Sequence, residues 1–355
     1  MRVQFRGTVL VEVHRICYLE VLASRHSLFR VFSVVLLSLL LATAGALRQP
    51  SVGFQQQSVS YGSEALGVAI WYPSRGVEKA EPVGLTTQSI VRNGPVIGNA
   101  LAVIVISHGT GGSSGSHVDT AMELARGGFV VVAVTHKGDN FRDSTYAGNR
   151  IDLIDRPKQV SRVLTYILDE WAGRKHVDRN RAGVFGCSLG GYTALVAAGG
   201  TPTLSKLSSL CSDRPEAPEC AFIRSRHGDQ LSPGLSEPRW VRDKRIKAVA
   251  IEVPAVGFVF DQGGLRNVRV PVQIWSAELD DQAPNAWSSD VIIRELPLPP
   301  EGHRIRGANH FAFIAPCTAA GSDQIPACQD APGFDRVAFH RQFNRGVVRF
   351  FRKWL

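Results

Sequence analysis

Five consecutive residues, Gly186-Cys187-Ser188-Leu189-Gly190, have the spacing best suited to chemistry in this chain. Before them, Ala182 to Phe185 are small or apolar and read as a buried strand; after them, Tyr192 to Ala198 read as a helix. A Gly-x-Ser-x-Gly set between a strand and a helix turns the backbone so sharply that only glycine fits two places before and after the serine. The result is a serine hydroxyl at a helix N-terminus, with the next N–H, that of Leu189, facing the same space. A helix-start turn that merely contains serine has the same letters. The motif therefore needs partners.

A serine hydroxyl is a weak nucleophile until a base removes its proton, and the base needs a third group to orient it. In a strand–turn–helix setting of this kind the acid and then the histidine follow the serine along the chain. Ala277-Glu-Leu-Asp280-Asp281-Gln-Ala-Pro284 lies just past the apolar run Val270–Ser276, and Asp280 is the expected acid, with Asp281 as its alternative. Gly307-Ala-Asn-His310-Phe-Ala-Phe313 places a histidine in a small-residue loop, and His310 is the expected base. His303, after a Pro-Pro turn, is its rival; His117, His136, His176 and His227 read as surface or loop residues.

Acyl transfer also needs two N–H donors for the oxyanion of its tetrahedral intermediate. Leu189 would supply one and Thr110, in His108-Gly-Thr-Gly-Gly112, the other. The glycine-rich loop could instead be read as a phosphate cradle, but it lacks the Lys-Ser/Thr ending that grips terminal phosphates. Neither a His-Glu-x-x-His nor a Cys-x-x-Cys spacing occurs, so the sequence predicts no metal and no organic cofactor.

These residues must be positioned by the elements around them. Gly53–Ser60 and Ala65–Pro73 alternate as two strands joined by a turn, and residues 74–98 read as a polar surface connection. Leu101–Ser107 and Phe129–Thr135 are continuous apolar runs of the kind buried on both faces of a parallel sheet, with a helix expected between them over Val118–Arg126. Residues 137–156 read as a polar loop, and Lys158–Trp171 has helical spacing. Residues 200–245, rich in Pro, Cys, Ser and charge, read as a loop-rich excursion over the active-site end. Lys247–Val253 and Val270–Ser276 resume the strands, and residues 334–355 close the chain as an amphipathic helix. Strands alternating with helices predict an α/β fold with a doubly wound, mostly parallel sheet. No internal repeat or low-complexity segment interrupts it.

The chain is 355 residues long and 44% hydrophobic, ample for one large core. Its formal net charge is +9, but the first thirty residues hold five arginines against two glutamates, and the remaining surplus is scattered. Without a basic stripe interleaved with aromatics, no nucleic-acid partner is expected. Arg30, the apolar run Val31–Ala42 and the small residues Ala44-Gly45-Ala46 form a secretory signal, too short for a comfortable membrane span of about 20 residues. An uncleaved anchor is the alternative, and the only membrane contact expected. Residues 1–46 are thus assigned to a leader and residues 47–355 to one domain with an insertion at about 200–245. Cys211/Cys220 and Cys317/Cys328 read as two short-range disulfides of an exported protein, whose place is the periplasm or the medium.

With these stations in place the chain resembles the α/β-hydrolases. More narrowly it is similar to secreted bacterial predicted dienelactone hydrolases, akin to platelet-activating-factor acetylhydrolases. Ile70-Trp-Tyr-Pro73, Val105-Ile-Ser-His-Gly109, Gly128–Val134, the serine motif and Gly307–Phe313 carry that likeness. The resemblance implies Ser188 as nucleophile, Asp280 as acid, His310 as base, and Thr110 and Leu189 at the oxyanion hole. Dienelactone hydrolases proper use cysteine as nucleophile, and here Cys187 stands one place early, expected to turn into the fold. Pro254-Ala-Val-Gly-Phe-Val-Phe260 offers apolar side chains for an acyl pocket, although Phe258 and Phe260 also suit a core. The implied activity is hydrolysis of a small ester or lipid-like substrate. A lipase, phospholipid acyl hydrolase or amidase would use the same residues, and a non-catalytic binding protein on this scaffold is the reading from another class.

Overall fold

The computed structural model describes residues 50–227, 238–318 and 324–355, and the expected leader lies outside them. Ten strands form one sheet: β1 (Ser51–Tyr61), β2 (Glu64–Ser74), β3 (Lys79–Val83), β4 (Thr86–Arg92), β5 (Leu101–Ser107), β6 (Val130–Val134), β7 (Val177–Cys187), β8 (Ile246–Glu252), β9 (Val272–Leu279) and β10 (Glu301–Asn309). Their order across the sheet is β10-β9-β8-β7-β5-β6-β2-β1-β4-β3. The six from β10 to β6 run parallel, while β2 pairs antiparallel with β6 and with β1.

Parallel strands need crossover helices, and helices on both faces bury every strand residue. β5 and β6 are accordingly buried along their whole lengths. Alternate residues serve opposite cores. Val103 and Val105 face the core formed with α2 (Arg150–Asp169) and α3 (Leu189–Ala197). Ala102, Ile104 and Ile106 face the core formed with α1 (Val118–Arg126) and α7 (Arg336–Trp354). In α7, Phe343 packs edge-on to Phe185 of β7, Trp275 of β9 and Phe313, with ring centroids 6.2, 5.0 and 5.6 Å away. One side chain thus braces the two strands whose ends carry Ser188 and Asp280.

Four sequence expectations are corrected. Residues 74–98 are not a plain connection, because β3 and β4 make an antiparallel hairpin there that extends the sheet edge. The predicted loop over residues 137–156 ends early, since α2 begins at Arg150, capped by the Asn149 side chain on the Ile151 N–H at 3.0 Å. That helix also runs through Pro157, which cannot donate to the Leu153 carbonyl. The Tyr192 hydroxyl donates to that carbonyl instead, at 3.3 Å. The excursion at residues 200–245 is largely helical where described, with α4 (Ser205–Asp213) and α5 (Pro218–His227) joined by the Cys211–Cys220 disulfide. Finally, β10 precedes His310 where no strand was expected.

A short helix, α6 (Ser289–Glu295), completes the set, and among the described residues no helix is long and apolar enough to cross a membrane. Phe343→Ala should destabilise the protein by about 3–5 kcal/mol, the usual cost of deleting a buried phenyl ring. Urea unfolding followed by tryptophan fluorescence measures it. A loss below about 1 kcal/mol would mean that the aromatic cluster does not brace the strand ends.

Candidate active site

Ser188 sits between the end of β7 and the start of α3 with φ 51° and ψ −117°, outside the regions an L-residue ordinarily adopts. Glycine is required on both sides, though not against the serine itself. A Cβ on Gly186 would enter the Gly190 carbonyl, and one on Gly190 would enter the Ser107 carbonyl of β5. Three backbone bonds hold the turn: Ser188 N–H donates to the Glu252 carbonyl at 2.9 Å, and the Ser188 carbonyl accepts from Gly191 at 2.9 Å and Ala255 at 3.1 Å. Val253 and Val256, β-branched residues beside this contact, also have positive φ, 37° and 51°. Strain of this kind costs roughly 1–3 kcal/mol per residue and collects at functional sites.

The chain brings Ser188, His310 and Asp280 together. His310 Nε2 lies 3.1 Å from Ser188 Oγ, and its Nδ1 lies 2.9 and 3.0 Å from the two oxygens of Asp280. With the carboxylate accepting at Nδ1, that nitrogen carries the ring proton and Nε2 is left to accept from the serine hydroxyl. Asp280 Oδ1 also accepts the Ala283 N–H at 2.8 Å, which fixes the carboxylate. The Asp280 side chain is 1% exposed and that of His310 8%. Asp281 is exposed and bonds only to Gln282, and His303 stacks on Trp275 with ring centroids 3.9 Å apart. Neither alternative is part of this group.

Thr110 and Leu189 line the same cavity as Ser188 and His310. Leu189 opens α3, so its N–H has no preceding turn to donate to. The loop bearing Thr110 comes so close that a Cβ on Gly109 would stand 3.1 Å from that of Ser188. A fully buried ion pair holds this loop: Arg156 Nη1 donates to Asp139 Oδ2 at 2.6 Å, and Asp139 Oδ1 accepts the Gly111 N–H at 2.8 Å. Arg156 also donates through Nη2 to the His108 carbonyl and through Nε to Thr193 Oγ1 at 3.2 Å, whose hydroxyl in turn donates to the Leu189 carbonyl at 2.8 Å. One guanidinium therefore ties the Thr110 loop to the helix behind Ser188. No sequence spacing signalled it.

Two of the histidines expected at the surface or in loops lie in loops and are buried. His136 is 0% and His117 2% exposed. His136 Nδ1 lies 2.9 Å from Gln159 Oε1 and its Nε2 2.8 Å from Ser107 Oγ. Burial and the nearby Arg156 hold His136 and His108 well below the ordinary histidine range, so both stay neutral. Burial likewise lowers His117 to about 4 and pushes the Cys187 thiol and the Glu252 carboxyl well up. Cys187 is turned into the fold.

The cavity has a volume of about 290 Å³. Leu153, Leu207, Phe222, Ile223, Val256 and Ile314 give it an apolar wall, roofed in part by α4 and α5. Phe258 and Phe260 belong to the core and not to this wall. Glu219 is the acidic residue among the lining side chains, bonded to Trp287 Nε1 at 3.1 Å.

No family model matches the sequence, and neither does any curated protein. Among solved structures, the ferulic acid esterase from Streptomyces cinnamoneus resembles this chain with a TM-score of 0.54 and 16% identity, over 87% of this chain and 91% of that one. The likeness is one of fold: a mostly parallel sheet flanked by helices, of the α/β-hydrolase kind.

Two predictions follow from the buried charges. Arg156→Ala strands Asp139 as a lone buried carboxylate and should destabilise the protein by about 3–5 kcal/mol, whereas Arg156→Met with Asp139→Leu, which removes both charges, should recover much of that. Equal losses in denaturant unfolding of the two variants would refute the coupling. Glu219 is raised above its ordinary 4.5, chiefly by burial, so the folded protein keeps this proton to higher pH than the unfolded chain. Its stabilising contribution is complete below pH 4.5 and is lost as pH rises through the folded value. The stability advantage of Glu219→Gln over wild type should therefore grow above pH 4.5, by at most about 1.4 kcal/mol per pH unit, and then level off. A difference constant from pH 4 to 8 would show that the group is not perturbed.

Proposed function

We propose that the protein is a serine hydrolase that cleaves carboxylic esters through an acyl-enzyme, with Ser188 as nucleophile, His310 as base and Asp280 as the acid that orients it. The supporting observation is the continuous hydrogen-bonded path from Ser188 Oγ through His310 to Asp280, 3.1 and 2.9 Å, at an apolar cavity. As Ser188 Oγ bonds to the ester carbonyl carbon, its proton passes to His310 Nε2. The carbonyl electrons move onto oxygen, where the N–H groups of Thr110 and Leu189 receive the negative charge. Collapse of this intermediate breaks the ester C–O bond, and His310 returns the proton to the departing alcohol. Water then repeats the sequence on the acyl-serine, with His310 again the base.

Lipases, phospholipid acyl hydrolases and amidases share this machinery. A cavity of about 290 Å³ is at the small end for ligand sites and favours short or aromatic acyl groups over long chains. Phe222 and Phe311 on its wall suit an aromatic acid, and the fold neighbour is a ferulic acid esterase. A purely binding role is disfavoured by the strained backbone at Ser188, which a binding pocket does not need. The finer kinship, with predicted dienelactone hydrolases and platelet-activating-factor acetylhydrolases, rests on the sequence motifs. The disulfides Cys211–Cys220 and Cys317–Cys328 suit an oxidising compartment, and we place the protein in the periplasm or medium. N-terminal sequencing of exported protein tests this, and protein retained in the cytoplasm would contradict it.

The defining measurement is hydrolysis of p-nitrophenyl esters from acetyl to palmitoyl, with methyl ferulate alongside. Turnover should peak at short acyl chains. It should fall by about 10⁶-fold in Ser188→Ala and about 10⁴-fold in Asp280→Asn, as in serine proteases. Equal rates in wild type and Ser188→Ala would overturn the assignment.

A further inference from the structure

Three side chains that the ester chemistry does not use converge beside Ser188. His117 immediately precedes α1, Cys187 ends β7 and Glu252 ends β8, so three distant segments supply them and no local spacing could announce the group. One donor atom from each, an imidazole nitrogen, a sulfur and a carboxylate oxygen, lies within 4.8 Å of the other two. His117 Nδ1 is 3.2 Å from Glu252 Oε1. All three residues are buried, with Glu252 wholly enclosed.

Both ring nitrogens of His117 and both carboxyl oxygens of Glu252 are nevertheless without a well-formed hydrogen bond. Buried polar atoms are nearly always partnered, and four that lack a well-formed bond at one point, two of them facing each other at 3.2 Å, require a reason. A divalent cation provides one. A thiolate and a carboxylate together carry two negative charges, so with a neutral imidazole they would hold a dication with no net charge, the combination least opposed by a buried site. Thiolate and imidazole donors select zinc-like metals over magnesium or calcium, which prefer oxygen alone.

Access is also present. His117 and Cys187 line the cavity that holds Ser188, which gives the metal a path in and leaves room for water as a fourth ligand. Bond lengths of about 2.0–2.3 Å put the ligand atoms of tetrahedral zinc roughly 3.3–3.7 Å apart. Closing from 4.8 Å therefore asks for side-chain shifts of about 1 Å.

We propose that His117, Cys187 and Glu252 form a binding site for one zinc-like divalent cation, completed by a cavity water. The thiol and the carboxylic acid release their protons to solvent as their bonds to the metal form, and nothing is oxidised or reduced. The site is independent of the ester reading. Its test does not use ester turnover, so either can fail alone.

Cobalt(II) is the probe, because thiolate coordination produces a near-ultraviolet charge-transfer absorption that oxygen and nitrogen ligands alone do not. The full chain carries Cys17→Ala, which removes the leader thiol from the experiment. The expected result is one cobalt per chain with that absorption, displaced by one equivalent of zinc. Cys187→Ser and Glu252→Gln, both close in shape to the native residues, should each weaken zinc binding in calorimetry. The loss should exceed the 10–100-fold that removal of a mere outer-shell partner costs. Circular dichroism melts confirm that each variant is folded. No charge-transfer absorption at millimolar cobalt, or zinc affinity unchanged by Cys187→Ser, would overturn the proposal and leave a neutral buried cluster.

Discussion

The structure depends on a backbone constraint at one residue. Ser188 has φ 51° because β7 and α3 meet there with no room for a gentler turn: Gly186 presses on the Gly190 carbonyl and Gly190 on that of Ser107. This conformation is held by backbone bonds to Glu252, Gly191 and Ala255, and these depend on the register of β7 against β8 and β5. The large core on either face of the sheet therefore acts on the site indirectly, by fixing that register. Val253 and Val256 show how far the constraint spreads, since the segment that caps the Ser188 carbonyl is itself forced into positive φ. A packed sheet can sustain several such residues because each costs little beside the burial of its strands.

Electrostatics fix the other half of the site. The Thr110 loop is short and glycine-rich, and among its own side chains His108 helps to hold it, its Nε2 accepting the His136 N–H at 3.0 Å. Arg156 and Asp139 do so from beneath, by hydrogen bonds to the His108 carbonyl and the Gly111 N–H. A buried ion pair is a poor source of stability, because the desolvation of both charges nearly cancels their attraction. Its value here is directional. A guanidinium offers donors in a rigid planar fork, and three of those of Arg156 reach Asp139, the His108 carbonyl and Thr193, on separate segments that must agree in position. The neutral states of His108 and His136 belong to the same arrangement, since burial disfavours a charged imidazole and a further positive charge beside Arg156 would be repelled.

The sequence was legible where a local rule acts alone. The glycine spacing around Ser188, the apolar runs of β5 and β6, and the bounds of α1 at Val118 and Arg126 all stand where patterning put them. The serine and the acid could be picked out because each falls just past an apolar run, and the histidine because it stands in a late small-residue segment, Gly307-Ala-Asn-His310. Reading failed where tertiary contacts override composition. Lys79-Ala-Glu-Pro-Val83 is too polar and too interrupted by proline to signal a strand, yet the exposed edge of a sheet tolerates both. Helices α4 and α5 show little apolar periodicity because few residues, Leu207, Cys220 and Ile223 among them, turn inward. Helix α2 begins within the polar stretch read as a loop and runs through Pro157, where the Tyr192 hydroxyl from another element donates to the Leu153 carbonyl. His117 and His136 look like any loop histidine in sequence, because their burial is decided by strands and helices far along the chain.

Two buried polar groups thus flank Ser188, and they differ in a way that bears on what each is for. Around Arg156 the guanidinium and Asp139 are bonded to three segments, as expected of a network that holds geometry, although the buried Asp152 beside them keeps both oxygens without a well-formed bond. Around Glu252 the four nitrogen and oxygen atoms lack a well-formed bond, with His117 Nδ1 and Glu252 Oε1 facing each other at 3.2 Å, although the residue's own backbone carbonyl supports Ser188. If holding the turn were the task of that position, the carbonyl would suffice, and an apolar side chain would serve better than a carboxyl group that loses its hydration for nothing. Beside the turn the sequence departs from consistency at His117 and Glu252. Such departures are expected where a side chain serves a ligand and not the fold.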